Sequence, residues 1–167
     1  MSKHDPSIWE PIKHHLLRLD EARTRAERRA ALLVLESTMA LEASTAGMPQ
    51  EECPLREHFA PGLYSRQIFM RAGLCVVGKI HKHAHMNTVS KGACIVFTEH
   101  DTQRLDAGDT FVSLPGTKRA VFMLEDVLWT TTHANPTDSR DSAWLESQLI
   151  APSFDALELH TQLKVTA

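Results

Sequence analysis

The sequence predicts a mainly β fold, a closed barrel or double-sheet jelly roll of eight short antiparallel strands with helices at both ends. The middle of the chain, from about residue 56 to 135, consists of runs of four to eight residues rich in Val, Ile, Thr, Phe and Cys. Turn chemistry separates these runs: Ala72-Gly73, Lys91-Gly92, His100-Asp101, Ala107-Gly108-Asp109, Pro115-Gly116 and Glu125-Asp126. The alternation of strand and helix that builds a Rossmann-type sheet does not occur.

Taken in order, strands are expected over 64–70, 74–81, 86–90, 93–98, 103–105, 109–112, 119–123 and 127–133. Eight such strands in so short a span fit a barrel or jelly roll. Before them, Ile8, Ile12, Leu16 and Leu19 recur at helical spacing, and Ala22, Ala26, Ala30, Leu33 and Leu41 continue the stripe. One or two helices follow, capped by Ser7 and Asp20 and ended by Gly47 and Pro49. The stripe is Ala-rich and lacks sustained heptads, which favours packing on the protein's own sheet over a coiled coil. After Asn135-Pro136 a helix is expected around Ala143, Leu145 and Leu149, with Asp138 or Ser139 as its cap and Pro152 as its stop. The resulting division is a helical extension over 1–52, a barrel over 53–135 and a helical segment with a tail over 136–167.

Composition agrees with one globular core: 167 residues, 43% hydrophobic and 23% charged. No apolar run approaches the roughly 20 residues that span a bilayer. The N-terminus lacks the pattern of a secretory signal, so a cytoplasmic address is expected and a membrane role is not. Three cysteines, Cys53, Cys75 and Cys94, lie at irregular spacing, which indicates neither a disulfide framework nor a cysteine zinc site. A net charge of −3 gives no general attraction for nucleic acid. The one basic cluster, Arg23, Arg25, Arg28 and Arg29, reads as a solvated helix face with Asp20, Glu21 and Glu27 as its partners.

The chemistry concentrates in Gly78-Lys-Ile-His81-Lys-His83-Ala-His85, where three imidazoles occupy alternate positions. On a regular strand they would share one face, and neutral imidazoles gathered on one face suit a metal. Downstream, Ala107-Gly108-Asp109-Thr-Phe-Val-Ser-Leu-Pro115-Gly116 forms a second motif.

With these two motifs the chain resembles the cupin superfamily over roughly residues 62–134. The resemblance implies two histidines and a glutamate before a glycine. Counting back from Gly92 puts His85 at the glutamate position, His81 at the second histidine and Lys79 at the first, with His83 in the turn between. The family's later histidine, expected near Lys118 and Arg119, is missing. His133, at the end of the final strand, is the candidate that replaces it, so the implied ligand set is His81, His85 and His133, with His83 as a further member. Phe59-Ala-Pro-Gly62 and Ser113-Leu-Pro115-Gly116-Thr-Lys-Arg119 also resemble small cupin-like proteins of tailed phages.

Three imidazoles suit Zn, Fe, Ni or Co, whereas Ca or Mg would want oxygen ligands. The expected ligand is a small anionic molecule held by Lys79, Lys118, Arg119 and Tyr64. If the protein is catalytic, the resemblance implies oxygenase, isomerase or lyase chemistry. Two alternatives stand beside this reading. One is a non-catalytic binding protein, sequestering a nucleotide or similar signal, in which Lys79, His81, Lys82, His85, Lys118 and Arg119 hold an anion. The other is an assembly module docking through residues 7–46. Family resemblance further implies a homodimer.

Overall fold

A computed structural model of the chain describes residues 9–45 and 53–165. Eleven strands and four helices make up the described residues. The strands are β1 (Leu55–Ala60), β2 (Gly62–Met70), β3 (Cys75–Val77), β4 (Ile80–His81), β5 (His85–Lys91), β6 (Ala93–Thr98), β7 (Thr102–Asp106), β8 (Thr110–Ser113), β9 (Arg119–Met123), β10 (Val127–Asn135) and β11 (Ile150–Ala151). The helices are α1 (Trp9–Glu21), α2 (Arg25–Thr45), α3 (Ser142–Leu149) and α4 (Phe154–Val165).

One sheet has the order β1-β2-β10-β5-β8, a second β3-β9-β6-β7, and β4 pairs only with β11 among the described residues. All pairings are antiparallel. The expected cupin-like jelly roll is therefore the observed architecture. Met70, Val89, Val127 and Trp129 from the first sheet meet Cys94, Val96, Leu105, Val121 and Met123 from the second to form the core between them. Because side chains alternate along a strand, Cys75, Phe97 and Ala120 point to the opposite face of the second sheet. There they pack against Ile12, Leu19, Leu32 and Leu35 of α1 and α2. This two-sided burial explains why Ala120, Val121 and Met123 on β9 are all buried without polar alternation.

Several local expectations require correction. Asp20 does not cap the second helix. Thr24 Oγ1 accepts from the Glu27 amide at 3.2 Å, while the Glu27 carboxylate accepts from the Arg23 and Thr24 amides at 2.9 and 3.0 Å, a reciprocal capping arrangement. The expected cap Ser7 and the stops Gly47 and Pro49 lie outside the described residues. The expected strand 74–81 is broken after β3, where the Gly78 amide donates to the Arg119 carbonyl at 2.8 Å and the chain leaves β9 to pair with β11. Asp141, not Asp138 or Ser139, caps α3, accepting from the Ala143 and Trp144 amides. Asp138 takes a left-handed φ of 52° instead, and its carboxylate accepts from the Gly62 amide.

The basic cluster is a solvated face only in part: Arg23 and Arg25 are exposed, whereas Arg29 is half-buried and Arg28 is turned inward. Arg28 is buried and donates to the carbonyls of Thr98, Leu19 and Asp101 at 2.8, 2.8 and 2.5 Å. Arg25 and Arg29 each pair with Glu99, whose side chain is only 1% exposed. Burial alone would raise the Glu99 pKa, but the bonds from Arg29 and Arg25 outweigh it and hold the carboxyl below its usual value.

Gly92 marks the tight crossing between β5 and β6. Its φ is +79°, and a Cβ there would lie 2.2 Å from the Asp126 carbonyl oxygen. Cys75 and Cys94 are buried free thiols, and burial pushes them up to about 12 and about 11.

Candidate functional site

The interior of the barrel is built in layers that the strand registers define. Tyr64 pairs with His133, and His85 with Ser113, to form the outermost layer. Next, Arg66 pairs with Thr131, Thr131 with Asn87, and Asn87 with Phe111. Below them Ile68, Trp129 and Val89 are paired in turn. All belong to the same inward set on their strands because they sit two residues apart. Polarity thus falls from the histidine end to an apolar floor.

His81 enters this end from β4, so the trio comes from three different strands. Ring centroids lie 4.1 Å apart for His81 and His85, 5.0 Å for His81 and His133, and 4.8 Å for His85 and His133. One ligand nitrogen from each ring lies within 4.8 Å of the others, a spacing that a single metal ion could bridge. His85 and His133 are buried, and His81 is half-buried.

Burial keeps all three rings uncharged. It lowers the His81 pKa to about 2, with the neighbouring His85 and His133 adding to the effect. His133 falls to about 3 by burial and by the charges of His85 and Arg66. For His85 burial again dominates, and its bond with His83 offsets part of the shift, leaving about 4. Neutral imidazole is the form that ligates a metal. Nδ1 of His81 and Nδ1 of His133 are buried without a hydrogen-bond partner among the described residues. An unpartnered buried polar atom is costly, commonly about 1–3 kcal/mol.

The third ring differs. His85 Nδ1 lies 3.1 Å from the His83 carbonyl, which can only accept, so Nδ1 carries the proton. Its Nε2 then has a lone pair, and Arg119 Nη2 donates to it at 3.2 Å. The same Nη2 donates to Ser113 Oγ at 2.5 Å. Asn87 Nδ2 also donates to Ser113 Oγ, at 2.9 Å, while Asn87 Oδ1 accepts from Trp129 Nε1 at 3.1 Å and Thr131 Oγ1 at 3.0 Å. This chain fixes the Asn87 amide and aims the Arg119 guanidinium. Arg119 is buried, which lowers its pKa to about 10.

His83 lies in the turn between β4 and β5, half-buried, and is not one of the three convergent rings. Tyr64 donates to Glu57 Oε1 at 2.5 Å, and its ring stacks toward His133 at 6.5 Å. Burial, then the Glu57 bond, raise its pKa. Lys79 and Lys118 do not join the histidines. They line an outer cleft of about 570 Å³ that includes Leu33, Ile80, Ile150 and Phe154. There Lys79 pairs with Glu146 and Lys118 with Glu36. Lys82 Nζ donates to the Ser147 carbonyl.

Sequence reasoning missed Asn87 and Ser113. The signal for Asn87 was its place two residues after His85, on the same inward face of β5. Ser113 was legible only once β8 was registered against β5.

Fold and site together define a cupin-like jelly roll with three convergent histidines at one end of its interior. No family model and no curated protein matches the sequence. Among solved structures the chain is similar to KdgF from a Halomonas species, with 24% identity, 53% of this chain and 81% of that chain covered, and a TM-score of 0.44. It is also similar to a cupin-2 domain protein from Shewanella frigidimarina, with 11% identity, coverage of 57% and 92%, and a TM-score of 0.43. A third is salicylate 1,2-dioxygenase from Pseudoaminobacter salicylatoxidans with gentisate adducts, at 18% identity, 70% and 34% coverage, and a TM-score of 0.48. The likeness is one of fold, and the resemblance to phage proteins has no support among these matches.

Proposed function

We propose that the barrel binds one divalent transition metal through His81, His85 and His133 and holds a small anionic molecule beside it. The observation that carries this reading is the convergence of three uncharged imidazoles, two with a buried nitrogen that nothing in the described protein satisfies. An all-nitrogen set of three favours Zn, Fe(II), Ni or Co, with remaining positions open to water or ligand. When bound, such an ion polarises an oxygen ligand or lowers the pKa of a bound water. The protein's own part is to hold the rings neutral and to offer Arg66 and Arg119 as the cations of the interior. Lys79 and Lys118, in the outer cleft, are not needed for this role.

Elemental analysis of the protein purified without a histidine tag tests the reading. One transition metal per chain, lost in His81→Ala and in His133→Ala, is the expected result. A chain that carries no metal, and takes none up when it is supplied, would sink it.

A second reading is a metal-free anion-binding protein. Its specific support is the Arg119 guanidinium lodged against His85 Nε2 and Ser113 Oγ. The two readings separate on chelation, which removes ligand binding under the first and leaves it intact under the second.

A further inference from the structure

Two of the three histidines have an unpartnered buried nitrogen, whereas the third is plugged. The tautomer of His85 follows from its neighbours. The His83 carbonyl takes the Nδ1 proton, so Nε2 is the nitrogen left to coordinate an ion. Arg119 Nη2 sits on that lone pair. A guanidinium cannot share a lone pair with a metal ion, and its positive charge close to the ion would oppose binding. Completing a three-histidine site therefore requires Arg119 to turn away.

What would draw it away is written in its chemistry. Arginine pairs best with planar oxyanions, above all carboxylates, which accept two parallel N–H bonds. Arg66, one layer below the mouth on β2, supplies a second positive charge to the same interior. Ser113 Oγ accepts from both Arg119 and Asn87, so the guanidinium is anchored in its plugging position by a bond that a carboxylate could replace.

We infer that Arg119 is an interlock between metal and substrate: a carboxylate ligand captures its guanidinium, frees His85 Nε2, and so completes the metal site. This rests on the metal reading above and adds to it both a ligand class, small carboxylates, and a coupling. Because linkage is reciprocal, the metal must tighten the carboxylate by the same factor. Arg119 acts here as a positioning residue.

The test is titration of the untagged protein with Co²⁺, followed by its visible absorption and by calorimetry, with and without acetate, and with acetamide as the uncharged control. In wild type, acetate tightens Co²⁺ by about tenfold, within the usual range of coupling between sites, and acetamide does nothing. In Arg119→Gln, Co²⁺ binds about tenfold tighter than in wild type without any anion, and acetate adds no more than acetamide does. Arg119→Met is the alternative variant should the glutamine form not fold, and the acetate comparison in wild type needs no variant.

Equal Co²⁺ affinity in wild type and variant, with no effect of acetate on either, overturns the interlock and leaves the metal reading standing. Acetate tightening Co²⁺ equally in both also overturns it, because the anion would then act as a direct ligand of the ion. If no form takes up Co²⁺ under any condition, the metal reading fails and the interlock falls with it.

Discussion

Two buried polar clusters lie on opposite faces of the second sheet, and they are built on opposite principles. At the joint between helices and barrel, Arg28 makes four bonds, to three carbonyls and to Thr102 Oγ1, and Glu99 receives two arginines. That cluster is closed: its charges answer one another. Inside the barrel, His81 and His133 each keep a buried nitrogen without a partner among the described residues, and the third ring has its Nδ1 bonded to the His83 carbonyl and its Nε2 covered by the Arg119 guanidinium. A fold that satisfies its buried polar groups so thoroughly in one place, and leaves neutral ring nitrogens open in another, points to the open place as the site of function.

Acidification should separate the two with the largest effect. The folded-state pKa of each histidine lies below the ordinary 6.5, so the unfolded chain binds more protons and the metal-free protein loses stability as pH falls below 6.5. The loss is on the order of 1 kcal/mol per pH unit for each histidine. Glu99 has a folded pKa below its ordinary 4.5, so its contribution is present above 4.5 and disappears only as the pH falls through that value and toward the folded one. Urea midpoints measured across pH should therefore fall first from the barrel interior and only later from the joint. His133→Phe should make the first slope shallower and leave the second unchanged.

Next in size, Arg28→Ala removes a buried donor from three carbonyls, of which that of Asp101 keeps the Thr98 amide, and should cost about 3 kcal/mol, seen as a thermal midpoint lower by roughly 6–12 °C. Metal content per folded chain should not change. Glu99→Gln should cost about 1–2 kcal/mol, less than Arg28→Ala because Arg25 and Arg29 are partly exposed and can turn to water. Smallest is His133→Phe at pH 8, which removes an unpartnered polar atom and should shift stability by no more than about 1 kcal/mol in either direction. Yet it should abolish metal uptake. A large destabilisation there would show that the ring is held for structure.

The same contrast explains what the sequence could disclose. Strand periodicity and turn residues predict the barrel because interior and exterior alternate on β2, β5 and β10. They fail at β1, Leu-Arg-Glu-His-Phe-Ala, an exposed edge strand with no apolar face to reveal it. They also fail at β11 and α4, whose formation depends on partners distant in the chain. His81 and His85 are singled out through the resemblance to the cupin motif, counted back from Gly92, and His133 by its place at the end of the final strand. The arginine joint is invisible in the sequence because Glu99, its acceptor, lies far from Arg25 and Arg29. Charge counting within the helix supplied Asp20, Glu21 and Glu27 instead, of which Glu27 meets Arg23 by accepting from its amide.

The pairing of β4 with β11 has a bearing on synthesis. Both main sheets are complete by Asn135, whereas Ile80 and His81 find their strand partners only in Ala151 and Ile150. A chain growing from its N-terminus can therefore close the barrel before β4 gains its strand partner. His85 and His133 are placed with the sheets, whereas His81 is held from outside them, by the Gly116 amide on its carbonyl and by the pairing of β4 with β11. A chain that has closed its two sheets but not yet paired β11 thus holds the third ring by one anchor fewer.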